Sequence, residues 1–185
     1  MMTGSLSTVY PLKPDRMHEV CGPAAPSFAA VFAAQADAPF LWIREAWRTE
    51  QLLPAGFIDF FSPNNLLIAS AKNLTEVLAV AEESLRSSVV PLVIMELSQP
   101  LNLTTGRRLQ LAAKAGKSTA LAIIPEGMGS NTAETRWHCR PLFDPADSTL
   151  QCWKLIKNKS GTLGVWNVRW SSSSRRINVV SEAGI

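Results

Sequence analysis

The chain has 185 residues, 46% hydrophobic and 18% charged, enough apolar content to bury a full core in one domain and too much for a disordered segment. It contains no run of about 18 apolar residues, which argues against a membrane-spanning helix, and residues 1–14 lack the continuous apolar stretch of a secretory signal. The net charge of +3 divides unevenly: residues 1–100 carry six Lys or Arg against ten Asp or Glu, and residues 101–185 carry twelve against five. Such a bias suits nucleic acid, an acidic protein partner, or simply a solvated basic sheet face.

In chain order, residues 1–15 read as an N-terminal extension of flexible character, and residues 16–185 as a single domain. Met17–Cys21 is a candidate strand, followed by Gly22-Pro23-Ala24-Ala25-Pro26-Ser27-Phe28-Ala29 and a small-residue helix expected from Ser27 to Ala36, with Phe28, Val31 and Phe32 facing inward. Phe40–Ile43 and Leu66–Ala69 are further strands. Asn73 caps the next helix, with Glu76 three residues on in a capping-box relation and Leu74, Val77, Leu78, Ala81 and Leu85 at helical spacing. Pro91–Met95 is a strand of the doubly buried kind. Thr104–Ala115 is a helix with Gly116 in the C-cap place, and Ser118–Ile124 the next strand. This alternation predicts an α/β fold with a mainly parallel central sheet flanked by helices. From Trp137 the character changes. Trp137–Leu142, Leu150–Ile156, Leu163–Trp170 and Ile177–Val180 read as antiparallel strands added to the sheet edge, joined by turns such as Asn158-Lys159-Ser160-Gly161 and Ser171–Ser174.

The segment at Gly22 has the context of a phosphate-binding loop, strand then helix, without its chemistry. A working loop of the form G-x-x-x-x-G-K-[ST] uses its second glycine to wrap amides around phosphates, its lysine to neutralise them and its hydroxyl to hold magnesium. Ser27, Phe28 and Ala29 occupy those places, and Pro26 removes an amide donor. Gly116-Lys117-Ser118-Thr119 matches the tail of the same motif but runs helix to strand, the wrong direction for amides at a helix N-terminus to meet an anion. Glu96, ending an apolar strand, stands where such ATPases place a magnesium-holding acid; without a phosphate partner its reading is structural. His18 and His138 show no serine or cysteine partner at recognisable spacing, so nucleophilic catalysis has no support. A zinc site from His18, Cys21, His138, Cys139 and Cys152 lacks paired C-x-x-C spacing, and the three cysteines, each inside an apolar run, suit a reducing compartment and hence the cytoplasm. Trp153, Trp166 and Trp170, interleaved with Lys154, Lys157, Lys159 and Arg169, offer base stacking, but their strand-face sharing favours the core. Arg107, Arg108, Lys157, Lys159, Arg175 and Arg176 remain as contact candidates for a partner or DNA.

Together His18-Glu19-Val20-Cys21-Gly22-Pro23-Ala24-Ala25, Glu82–Ser87, the block Arg107–Gly116 and Thr135-Arg136-Trp137 resemble the ImuA family, inducible mutagenesis protein A, over nearly the whole stretch 16–180. The resemblance implies a RecA-like fold of the P-loop NTPase type, here with a degenerate P-loop, Glu96 as a vestigial acid, and a loop and short helix near Gly127–Arg136. It also implies a noncatalytic adaptor, without cofactor, of the SOS-induced mutasome. Its implied partners are the inactive Y-family homologue ImuB, through it an error-prone replicative-type polymerase, and RecA; DNA binding would be weak. The alternatives are a SulA-like inhibitor of cell division binding FtsZ, or a weak RecA-like ATPase.

Overall fold

A computed structural model describes residues 5–182; residues 1–4 and 183–185, the outer ends of the expected extension and domain, lie outside the described residues. Each short apolar run becomes a strand: β1 (Met17–Cys21), β2 (Phe40–Glu45), β3 (Leu66–Ala71), β4 (Leu92–Glu96) and β5 (Thr119–Ile123). β1 and β4 are buried at every position, the pattern of strands covered on both faces. Antiparallel pairing of β7 (Gln151–Asn158), β8 (Gly164–Ser171) and β9 (Arg176–Glu182) extends the sheet from β6 (Thr135–Pro141), as expected. Among the described residues the nine strands lie in the order β3-β2-β4-β5-β1-β6-β7-β8-β9, parallel from β3 to β6.

Helix α1 (Ala25–Ala36) covers one face, and α2 (Leu74–Arg86) and α3 (Leu103–Gly116) cover the other, giving one apolar core on each side of the sheet. On the α1 side the core is aromatic, with Tyr10, Phe28, Trp137, Trp153 and Trp166 buried together. Residues 5–15, read from sequence as part of a flexible extension, put Leu6, Tyr10 and Leu12 into that core. Among the described residues no helix is long and apolar enough to cross a membrane.

Three local readings change. The Asn73 side chain accepts from the Glu76 amide at 3.0 Å, but Glu76 reaches back to the Lys72 amide at 2.8 Å rather than to that of Asn73. Gly116 is the last helical residue, and the left-handed cap is Lys117 at φ +52°. The glycine serves packing: a Cβ there would overlap the Leu85 carbonyl oxygen at the end of α2. The connection 124–134, for which the resemblance implied a short helix, crosses the α3 face of the sheet with turns and no helix. A buried ion pair holds it instead. Glu19, fully buried in the middle of β1, accepts from Arg136 Nε at 2.8 Å and from the Ser130 amide at 2.8 Å, and Arg136 also donates to the Ser130 carbonyl at 2.9 Å.

Candidate functional site

The end of β1 and the start of α1 are joined by only Gly22, Pro23 and Ala24. The helix begins at Ala25, two residues ahead of the expected Ser27, so Ala25 and Pro26 join Ser27, Phe28 and Ala29 in the helix. Pro26 falls in the first turn, where a missing N–H leaves no helical bond unmade. Gly22 sits at φ +93°, and a Cβ there would overlap the Cys139 carbonyl oxygen of β6; only glycine satisfies both conditions. That same oxygen accepts from the Ala24 amide at 3.0 Å, while the Ala25 amide donates to Gly22 O at 3.0 Å and the Phe28 amide to Ala24 O at 2.9 Å. The amides of Ala24, Ala25 and Phe28 are thus committed within the chain. Phe28 is fully buried, its ring centroid 4.6 Å from that of Trp153, 5.5 Å from Trp137 and 5.9 Å from Tyr10. It belongs to the aromatic core on the α1 side of the sheet rather than to the surface of the Gly22–Ala24 connection.

Glu96 ends β4 and is buried. Trp42 Nε1 donates to its Oε1 at 2.8 Å, Arg44 donates to Oε2 at 3.1 Å, and Arg48 pairs with the same oxygen at 3.3 Å. An acid so held is the anchor of a buried ion cluster, which explains its tolerance of burial. β5 lies between β4 and β1, which sets Glu96 two strand spacings, about 10 Å, from the β1 line.

Both histidines have partners that spacing alone does not reveal. His18 is fully buried: Nε2 lies 2.9 Å from the Lys13 carbonyl and so donates to it, which leaves Nδ1 to accept from the Thr135 hydroxyl at 2.7 Å. Burial lowers its pKa to about 4, only partly opposed by the Lys13 hydrogen bond and Glu134, so the ring is neutral at pH 7. His138 is the register partner of Cys21 across β1 and β6, and its Nε2 meets Glu126. Adjacency of backbones alone does not make a nucleophile and base pair, which needs a hydrogen bond between the two side chains. The thiol is buried, donates to the Trp137 carbonyl at 3.5 Å, and is pushed up in pKa by burial and then by Glu126, the opposite of what an activated cysteine needs. Among the described residues no group of three His, Cys, Asp or Glu side chains could hold a metal ion.

The basic candidates separate. Arg107 and Lys159 meet at a 330 Å³ groove whose other walls are Leu103, Gln110, Leu111, Asn131 and Thr132. Lys159 Nζ donates to the Thr132 carbonyl at 2.8 Å, and Lys157 donates to that of Ala133. Burial lowers the pKa of Lys157, with Lys159 and Arg136 adding to the effect; it fastens the crossover more than it faces a partner. Arg108 pairs with Glu82 at 2.6 Å and Arg175 with Asp37 at 3.7 Å, while Arg176 is exposed on β9, at the sheet edge. Trp153, Trp166 and Trp170 are buried, so the basic half offers no stacking platform from them.

No family model matches the chain, and a search of curated proteins finds no match either.

The residues that sequence reasoning missed are Glu19 and Arg136. A signal was present, since a carboxylate centred in an apolar five-residue strand demands a buried partner, but the partner lies 117 positions away.

Proposed function

We propose that this chain is a noncatalytic adaptor, similar to the ImuA proteins, that works through protein contacts in an SOS-induced mutasome. The observation that carries the reading is that the phosphate-loop and acid positions are both spent on internal bonds: the Ala24 amide on Cys139, and Glu96 on Trp42, Arg44 and Arg48. The order of elements, with the loop position after β1, an acid-ended β4 and an antiparallel C-terminal edge, is consistent with descent from a RecA-like nucleotide-binding domain. Support for an interaction role comes from the other edge of the sheet. β3 is an edge strand with Leu67 and Ile68 exposed, and the β2–β3 connection exposes Trp47, Leu53 and Ile58. Exposed apolar side chains so concentrated are a mark of contact surfaces.

The partner is ImuB and, through it, an error-prone polymerase; RecA is a second partner, and DNA contributes little. Co-purification with ImuB from the same genome tests the reading: a stable complex at micromolar concentration is expected, and two folded proteins that elute apart would end it. Calorimetry with ATP and magnesium tests the noncatalytic half. Saturable binding tighter than about 100 µM, roughly 5–6 kcal/mol, would favour an ATPase instead.

A further inference from the structure

We propose that the groove between α3 and the loop at Asn131-Thr132 docks an acidic peptide segment bearing large apolar side chains. Leu103, Arg107 and Leu111 recur at every fourth position of α3 and so share one helix face. That face is distinct from the buried stripe of Leu109, Ala112 and Ala113. Leu103 is 53% exposed and Leu111 64% exposed, and both line the groove with Arg107 between them. Large aliphatic side chains left in water on either side of a cation form an amphiphilic strip without a partner among the described residues.

The charge at the groove is uncompensated. Among the described residues no carboxylate pairs with Arg107 or Lys159, whereas the adjacent Arg108 is neutralised by Glu82. Lys159 is fixed by the Thr132 carbonyl, a neutral acceptor that orients the ammonium and leaves its charge. A complementary ligand therefore supplies carboxylates for the two cations and apolar groups for the two leucines, as an amphipathic segment does when it lies in a groove. Nucleic acid would satisfy the cations and waste the leucines. The groove walls hold no aromatic side chain on which a base could stack. The volume of 330 Å³ lies at the small end of binding clefts, which run roughly 300–1,000 Å³, as suits a few anchoring side chains.

Fluorescence anisotropy of the full chain with a labelled peptide of Asp, Glu, Leu and Phe tests the proposal, with polyglutamate and oligo-dT as competitors. Saturable binding is expected, weakened about tenfold or more by Arg107→Glu, an interfacial charge reversal, and also by Leu103→Ser with Leu111→Ser. Arg108→Glu changes the net charge equally but lies outside the groove, and its affinity should stay within about twofold of the parent. All these positions are exposed, so the variants should fold. Polyglutamate or oligo-dT competing as well as the mixed peptide, Arg108→Glu acting as strongly as Arg107→Glu, or no saturable binding at about 1 mM peptide, some 4 kcal/mol, would each overturn it. The inference deepens the adaptor reading but fails separately from it. ImuB co-purification without peptide binding removes the groove alone, and peptide binding without ImuB removes only the mutasome partner.

Discussion

Replacing Phe28 with lysine would restore the residue that a phosphate loop carries, and the structure expects the change to unfold the protein rather than to create a site. Phe28 is wholly buried, with its ring against Tyr10, Trp137 and Trp153. Truncation of such a side chain to alanine costs about 3–5 kcal/mol through lost transfer energy and the cavity left behind, and part of that loss is the three ring contacts, each worth about 0.5–1.5 kcal/mol beyond area. Lysine adds the burial of an ammonium with no carboxylate beside it, an effective penalty of several kcal/mol. Against a typical stability of about 5–15 kcal/mol, Phe28→Lys should be largely unfolded at 25 °C, Phe28→Ala folded but weakened, and Phe28→Leu within about 2 kcal/mol of the parent. Urea titration followed by near-ultraviolet circular dichroism measures the series, because the ring sits among tryptophans whose signal reports packing. The reasoning fails if Phe28→Lys is folded within about 1 kcal/mol of the parent, and fails more completely if that variant binds ATP with magnesium. Either result would mean that residue 28 faces the loop mouth.

Three further outcomes follow from the same geometry. Gly22→Ala combines a backbone at φ +93° with overlap on Cys139 O, so a loss of about 2–4 kcal/mol is expected, read as a fall in melting temperature of roughly 5–15 °C. A shift under about 2 °C would show that the junction can relax. His18 has a folded pKa of about 4 against 6.5 for the free side chain. The unfolded state therefore binds the extra proton between these values, and stability is full above about pH 6.5 and falls as pH drops toward 4. The loss from this group is about 2 kcal/mol by pH 5. Denaturation curves at pH 7 and pH 5 should show it, and His18→Gln should lack it; an equal slope in both proteins would refute the assignment. Glu96→Ala leaves the Arg44 and Arg48 guanidiniums and the Trp42 N–H without their common acceptor. A loss of about 3–5 kcal/mol is expected in urea titration, and a loss that disappears in about 1 M salt, where exposed charges are screened, would argue that the cluster is solvated.

Local pattern carried most of the elements. Apolar runs of four to eight residues between turn signals located the nine strands of the described residues, and the helical spacing of Leu74, Val77, Leu78, Ala81 and Leu85 located α2, since burial on a repeating face leaves a period that can be read without the partner. The broken chemistry at Ser27, Phe28 and Ala29 is likewise a matter of residue identity. What the loop became is not. The three-residue connection Gly22–Ala24 depends on the Cys139 carbonyl of β6 arriving to take the Ala24 amide, and the role of Gly116 depends on α2 pressing against α3. The same holds for charge. Arg107 and Arg108 are neighbours in sequence, yet one faces an open groove with Lys159 and the other meets Glu82; Glu19 finds Arg136, and Cys21 comes to lie beside His138, across an adjacent strand. Identity and period are properties of a segment, and the amino-acid sequence alone determined them. Which cation is left free, which acid is spent and whether a thiol is activated are decided by neighbours remote in the chain. Electrostatic and packing energies act through distances of a few ångströms, and only the tertiary structure sets those distances.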